Sequence, residues 1–142
     1  MVNSKLTVGI HMLTLLAFAD PMPLPSETIA GSVNTNPVVV RRLLALLRKA
    51  GFVDSNSGPG GGWRLVRRPE EIRMSDLRAA LEENREVFPL HNAKPNAACP
   101  VGGKIQGVLV DLYDDAIRAV DRQLAKTTVA DVLTSILTRP VP

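Results

Sequence analysis

The spacing of apolar residues in this chain changes at Gly51. Before it, Val40, Leu43, Leu44 and Leu47 recur at helical intervals. After it, Phe52-Val53-Asp54-Ser55-Asn56 and Trp63-Arg64-Leu65-Val66-Arg67 follow the period of two that marks strands. Ser57-Gly58-Pro59-Gly60-Gly61-Gly62 lies between them and reads as a turn. A helix closed by glycine and followed at once by a glycine-tipped hairpin is open to few topologies.

The residues before that helix narrow the choice. Ser4 is placed to cap a first, largely buried helix carrying Leu6, Val8, Ile10, Met12, Leu13, Leu16 and Ala17, which ends before Asp20-Pro21. Pro21, Pro23 and Pro25 make a stiff connector. Ser26 is expected to cap a short second helix, with Glu27 favourable in its first turn and Ile29, Ala30 and Val33 buried. Asn34 tolerates the left-handed backbone of a sharp turn, and Asn36-Pro37 reads as N-cap and first residue of the third helix. Residues 26–45 therefore have the layout of a helix-turn-helix, with Ala30 small enough to let the two helices approach. Helix, turn, helix, hairpin is the winged-helix order. Such a fold lays its third helix in the major groove of DNA and its wing along the backbone or minor groove.

Downstream, Ser75 is expected to cap a helix through Leu77, Ala80 and Leu81, and residues 84–99 form a polar loop. A long amphipathic helix starts at about Pro100 or Lys104 and carries Ile105, Val108, Leu109, Leu112, Ala116, Ala119, Val120 and Leu124. Thr128-Val-Ala-Asp131 resembles a capping box for a last helix through Leu133, Ile136 and Leu137. The expected fold class is mainly α with a small β-hairpin wing: a winged helix-turn-helix plus a long C-terminal dimerisation helix. The expected division is 1–83 for the winged domain, 84–103 for a loop holding the lone cysteine, and 104–142 for the dimerisation helix and C-terminal helix.

Charge supports a nucleic-acid partner. Lys and Arg number 17 against 14 acids, but residues 36–68 alone hold seven basic groups and one acid, Asp54. Aromatic residues are 4% of the 142, too few for a platform that stacks single strands, so the expected partner is double-stranded DNA. No apolar run reaches the roughly 18 residues of a membrane span, and Met1-Val-Asn-Ser-Lys-Leu-Thr lacks a signal-peptide layout. A cytoplasmic protein without membrane association is expected. No paired carboxylates or Ser-His or Cys-His spacing suggests an enzyme. The glycine run is a poor nucleotide loop, because no Lys-Ser or Lys-Thr follows it.

Helical geometry selects candidate contacts. With Val40, Leu43, Leu44 and Leu47 inward, Val38, Arg41, Arg42, Ala45 and Lys49 face outward or flank the stripe. Thr35 and Asn36 can hydrogen-bond near the bases, Val38 and Val39 can touch thymine methyl groups, and Arg41 or Arg42 can pair with a guanine edge. Ser57, Gly60, Gly61, Arg64 and Arg67 complete the candidate DNA-contacting set from the wing.

The run from Arg42 through Leu-Leu-Ala-Leu-Leu-Arg-Lys-Ala-Gly-Phe-Val-Asp-Ser-Asn-Ser-Gly-Pro-Gly-Gly-Gly-Trp-Arg to Leu65, and the run from Arg68 through Pro-Glu-Glu-Ile-Arg-Met-Ser-Asp-Leu-Arg-Ala-Ala-Leu to Glu82, resemble the Rrf2 family of bacterial winged-helix regulators. The resemblance covers nearly the whole chain. It implies a homodimer joined through the long helix, at Ile105, Val108, Leu109, Leu112, Ala116 and Val120. It also implies a palindromic operator, repression, and base reading at Val38, Val39, Arg41 and Arg42. Cluster-binding members carry an arginine just before the wing glycine, where this chain has Ser57. They also carry three cysteines before the dimer helix, where this chain has only Cys99. Two thiols per dimer cannot hold an iron–sulfur cluster in the usual four-ligand way, so no cofactor is expected. The stretch resembles a cluster-free, single-cysteine subgroup.

If Pro100 opens the long helix, Cys99 is its N-cap, where partial positive charge favours a thiolate. Lys104 and His91 are candidate helpers. Cys99 is then a candidate sensor of a small oxidant or electrophile. A metal site from His11, His91 and Cys99 is disfavoured, because His11 lies on the core-forming first helix. The alternative function is a winged-helix protein–protein adaptor whose basic stripe meets an acidic partner and whose DNA affinity stays non-specific.

Overall fold

The computed structural model describes residues 4–82 and 87–141. Helix α1 (Lys5–Ala19) is the central element, and α2 (Ser26–Val33), the hairpin, α4 (Met74–Leu81) and α6 (Val129–Thr138) all pack on it. Met12, Leu13 and Leu16 bury its core side. Gly9 lets it approach α4, since a Cβ there would collide with Leu81. The helix stops where the Asp20 N–H bonds Leu16 O at 3.0 Å, because Pro21 has no N–H to continue the ladder.

Helix α3 (Pro37–Lys49) buries Val40, Leu43, Leu44 and Leu47 against α2 and α4. Its end is a Schellman motif. The Gly51 N–H bonds Arg48 O at 2.9 Å, the Phe52 N–H bonds Leu47 O at 3.0 Å, and Gly51 takes φ +86°. Buried Phe52 and Leu47 supply the apolar contact that accompanies this motif. The chain then enters β1 (Val53–Asn56), which pairs antiparallel with β2 (Gly62–Leu65), Val53 opposite Leu65 and Asn56 opposite Gly62.

The hairpin has a third partner that the residue pattern did not announce. Leu24 sits between two prolines, and the residue before a proline is held extended. Its N–H bonds Trp63 O at 2.9 Å, and its carbonyl accepts the Trp63 N–H at 2.7 Å. Gly62 allows this approach, because a Cβ there would run into the Leu24 backbone.

Two helix starts differ from expectation. Pro25, not Ser26, is the N-cap of α2: its carbonyl accepts the N–H groups of Thr28 and Ile29, and Ser26 is already helical without a capping bond. Likewise α4 starts before Ser75. Its cap is Arg73, whose N–H bonds the Asp76 carboxylate at 3.1 Å, while the Met74 N–H reaches Thr127 O at 2.9 Å. In both cases a serine in the first turn of the helix, first residue in α2 and second in α4, looks like a cap in the sequence.

The long helix is α5 (Ile105–Leu124). The boundary expected at 83/84 and the first residues of the 84–99 loop fall at 83–86, outside the described residues. Phe88 stacks on Tyr113 with centroids 5.1 Å apart, which ties the connecting segment to α5. Thr128 and Asp131 form the expected reciprocal cap of α6 at 2.9 and 3.1 Å. The Val129 N–H bonds Ile72 O at 2.9 Å, and Val129 is fully buried in the same core as α1. Arg78 of α4 is buried and grips Asp121 of α5 with two bonds, Nε to Oδ1 at 2.6 Å and Nη2 to Oδ2 at 2.7 Å. No described helix is long and apolar enough to cross a membrane.

Leu47 therefore serves both the core and the cap of α3. Leu47→Ala should cost about 2–5 kcal/mol, while its neighbour Leu46, 36% exposed, should cost less than about 1 kcal/mol on the same change. Urea unfolding of the two variants checks this.

Candidate nucleic-acid interface

The turn between α2 and α3 is set by one residue. Asn34 takes φ 62° and ψ 49°, and its N–H bonds Ala30 O at 2.8 Å. The Thr35 N–H shares that acceptor at 3.2 Å. Asn36 then caps α3, its Oδ1 accepting the Val38 N–H at 2.8 Å, with Pro37 as the first helical residue. The Asn36 side chain is thereby partly engaged in holding the helix end.

Burial of the Val40–Leu47 stripe turns the other face of α3 outward. Val38 is 53% exposed, an apolar side chain in water at the N-terminal end of the helix. Val39, Arg41, Arg42, Ala45 and Lys49 are also exposed. Arg42 makes no ion pair among the described residues. Arg41 meets Glu27 of α2 at 3.6 Å, but both side chains are more than half exposed, so the pairing is weak and easily exchanged.

The wing tip is open. Ser57, Gly58, Pro59 and Gly60 are exposed, and Gly58 and Gly60 take φ +91° and +75°, values that favour glycine. The Gly61 N–H bonds Gly58 O at 3.0 Å and closes the turn. Arg64 is exposed on β2 opposite Asp54. Arg67 leaves the hairpin and lies over the Phe52 ring at 4.9 Å. The tip of the wing and the outer face of α3 therefore present small backbone and cationic groups together.

One residue absent from the candidate set joins these two parts. Arg48, in the last turn of α3, lies over the Trp63 ring at 4.4 Å, pairs with Asp54 at 3.4 Å and donates to Ser55 Oγ. It couples the third helix to both strands of the wing. No local pattern marks it, because its partners come from the strands that follow the turn.

The structure corrects the placement of Cys99. Pro100 lies in a run of turns, and α5 starts only at Ile105, so Cys99 is not the N-cap of the long helix. The Gly103 N–H bonds Cys99 O at 2.8 Å, and the Ile105 N–H bonds Val101 O at 2.9 Å. The thiol is exposed, and its pKa lies below the ordinary value because the backbone N–H groups of Gly102 and then Val101 point at the sulfur. Neither Lys104 nor His91 contributes to that shift. His11 is exposed rather than buried, with Nε2 2.9 Å from Ser32 Oγ.

Residues 2–135 match the family model Rrf2, described as an iron-dependent transcriptional regulator. YwnA of Bacillus subtilis, whose name carries the description HTH-type transcriptional regulator, is 41% identical over 133 residues, 94% of this chain and 97% of that protein. A crystal structure of a protein described as DNA-binding superposes with a TM-score of 0.72 at 37% identity, covering 92% of this chain and 99% of the other. IscR of T. potens superposes with a TM-score of 0.72 at 23% identity over 100% of this chain and 93% of its own, which shows a shared fold. The donors here do not fit the iron in the family description. The sequence has one cysteine, and among the described residues no three His, Cys, Asp or Glu side chains are grouped to hold a metal ion.

If Arg48 holds the wing to α3, Arg48→Ala should shift Trp63 fluorescence and speed amide exchange at Ser55. The same change should cost no more than about 1 kcal/mol of global stability, since the cation–π contact is partly exposed. Emission spectra and hydrogen exchange measure the two effects.

Proposed function

Because the chain belongs to the Rrf2 family of winged-helix, DNA-binding transcriptional regulators, we propose that it acts as a homodimeric repressor on a palindromic operator. The observation that carries this reading is the outer face of α3, where Val38 and Val39 stand exposed beside Arg41 and Arg42. Exposed valines are of little use on a wet surface but suit thymine methyl groups, and the arginines suit guanine edges. Thr35 and Asn36 add polar contacts at the helix start. Lys49, Arg64 and Arg67, with the small residues Ser57, Gly60 and Gly61, follow the phosphates.

The second copy docks through α5. Val108 and Leu112 are 62% and 58% exposed, and Ile105, Leu109, Ala116 and Val120 are only half-buried. An apolar face of this kind, left open on one chain, is suited to its own copy about a twofold axis. The recognition helices would then stand about 34–36 Å apart, or a multiple, to meet successive major grooves.

Cys99 supplies the response to a small oxidant or electrophile. Two backbone N–H groups favour its thiolate, the reactive form. An alkylating electrophile would form a carbon–sulfur bond with the thiolate as its carbon–leaving-group bond breaks and the leaving group departs as an anion. A peroxide would convert the thiolate to sulfenic acid, with the O–O bond breaking and hydroxide leaving. Either adduct changes the turns that lead into α5.

Selection of bound sequences from a random duplex pool tests the central claim. A palindromic consensus is expected. Binding only at the non-specific level of about 10⁻⁴–10⁻⁶ M would favour a protein–protein adaptor instead. On the selected site, Arg42→Ala should cost about 1–3 kcal/mol and relax preference at one base pair, whereas Arg64→Ala should weaken all sequences evenly and lower the salt slope by about 1. Fluorescence anisotropy over a salt series reads both.

Alkylation of Cys99 by iodoacetamide should reach half its maximal rate at lower pH than a free cysteine derivative does. A depressed pKa means more thiolate at any given pH below it. Operator binding by the parent should respond to peroxide and that of Cys99→Ser should not.

A further inference from the structure

Helix α5 touches the winged domain over a short stretch. Ile117 is its buried residue, Leu124 packs against the core, and Asp121 lies between them on the same face. The first half of the helix presents Val108 and Leu112 outward. The domain that carries α3 thus holds one end of α5, while in the other half Val108 and Leu112 stay exposed and Tyr113 meets Phe88 of the connecting segment.

The holding contacts differ in kind. Leu124 buries apolar surface against the core, a contact that is non-directional and allows a helix to roll or slide. The Arg78–Asp121 pair is directional. Its two bonds, at 2.6 and 2.7 Å, lie in the plane of the guanidinium and fix both the position and the rotation of the carboxylate. The Arg78 side chain is 4% exposed and that of Asp121 39%, so the guanidinium is shielded from water while the carboxylate stays partly open to it. It sits on α4, which packs against α3 as well as α1. A fixed angle between α4 and α5 is therefore a fixed angle between α5 and the recognition helix.

We propose that Arg78 and Asp121 are positioning residues for operator reading: their pairing sets the angle at which α5 leaves the winged domain, and so the separation of the two recognition helices. This rests on the dimer reading above. Neither residue touches DNA in that reading, and each dimer holds the pair twice. An error in the angle moves both recognition helices out of register with their half-sites.

The experiment uses the full chain with Cys99→Ser and a nitroxide at Ala45→Cys, an exposed position on α3. Pulsed electron resonance reads the distance between the two labels of a dimer without DNA. The parent should give one narrow distance, Asp121→Asn a broad or displaced distribution, and Asp121→Glu, which keeps the carboxylate, a narrow one again. Unlabelled Asp121→Asn should lose about tenfold in affinity for the full palindrome and narrow spacing preference, while binding a single half-site within about twofold of the parent. Arg78→Lys, a point charge without the planar fork, is the second variant and should also broaden the distance while remaining folded.

A folded Asp121→Asn dimer with the parent's distance distribution would overturn the proposal. So would an equal loss on half-site and full palindrome, or loss of cooperative melting in both variants, since the pair would then hold the fold rather than the angle. A monomeric parent would remove the dimer reading and this proposal together. A dimeric parent that ignores DNA would remove the repressor reading and the operator role of the pair, and the distance measurement would still decide whether the pair sets the angle.

Discussion

The direction of every exposed residue on α3 follows from burial of one stripe. Val40, Leu43, Leu44 and Leu47 are within a few percent of complete burial, on a helix whose remaining positions are mostly charged or small. A helix has only one degree of rotation about its axis, and four buried side chains remove it. Arg41, Arg42 and Val38 then have no choice of direction. The core does not merely stabilise α3; it decides which of its residues face outward, and so which could read bases in the proposed function.

The ends of the same helix are equally determined. At the start, Asn34 makes the left-handed turn and Asn36 binds an N–H that would otherwise lack a partner. At the finish, Gly51 reverses the chain, and Phe52 returns at once to the core. The wing therefore emerges beside the last turn of α3, near enough for Arg48 to bridge them. Proximity of helix and wing is a consequence of the Schellman geometry, and the cation over Trp63 refines it.

This division explains what was readable in the residues alone. Signals that act over a few positions could be seen: the change of period at Gly51, Asn34 in the turn, Asn36-Pro37, and the Thr128–Asp131 cap. Serine is a weaker marker, because its preference for a cap does not say which side of the boundary it occupies. Pro25 and Arg73 took the positions expected of Ser26 and Ser75, Pro25 through backbone bonds alone and Arg73 through the Asp76 carboxylate. Of the two starts the residues offered for α5, Lys104 is the cap, while Pro100, which resembles a first helical residue, belongs to a turn. Pairings between distant segments had no local sign at all. Leu24 with Trp63, Arg48 with Asp54 and Arg78 with Asp121 exist only once the core has brought their elements together.

Those long-range pairs also bear on how one family can keep a reading head while changing what governs it. The winged domain is closed by local caps and a continuous core, so it tolerates change elsewhere. The segment before α5 has a single cysteine, and among the described residues no group of donors suits a metal ion. Its thiol is faced by two backbone N–H groups, in turns that lead directly into the start of the long helix. The other end is gripped by Arg78. A helix gripped near one end and entered at the other through the turns that carry Cys99 has an asymmetry that a uniformly packed helix lacks. In the proposed reading, a change at Cys99 would act on the half away from the grip, and the ion pair would determine how much of that change reaches α3. In the proposed dimer, the stiffness of the grip and the reactivity of the thiol are separate properties, set by different residues. Sequence change can tune one without altering the other.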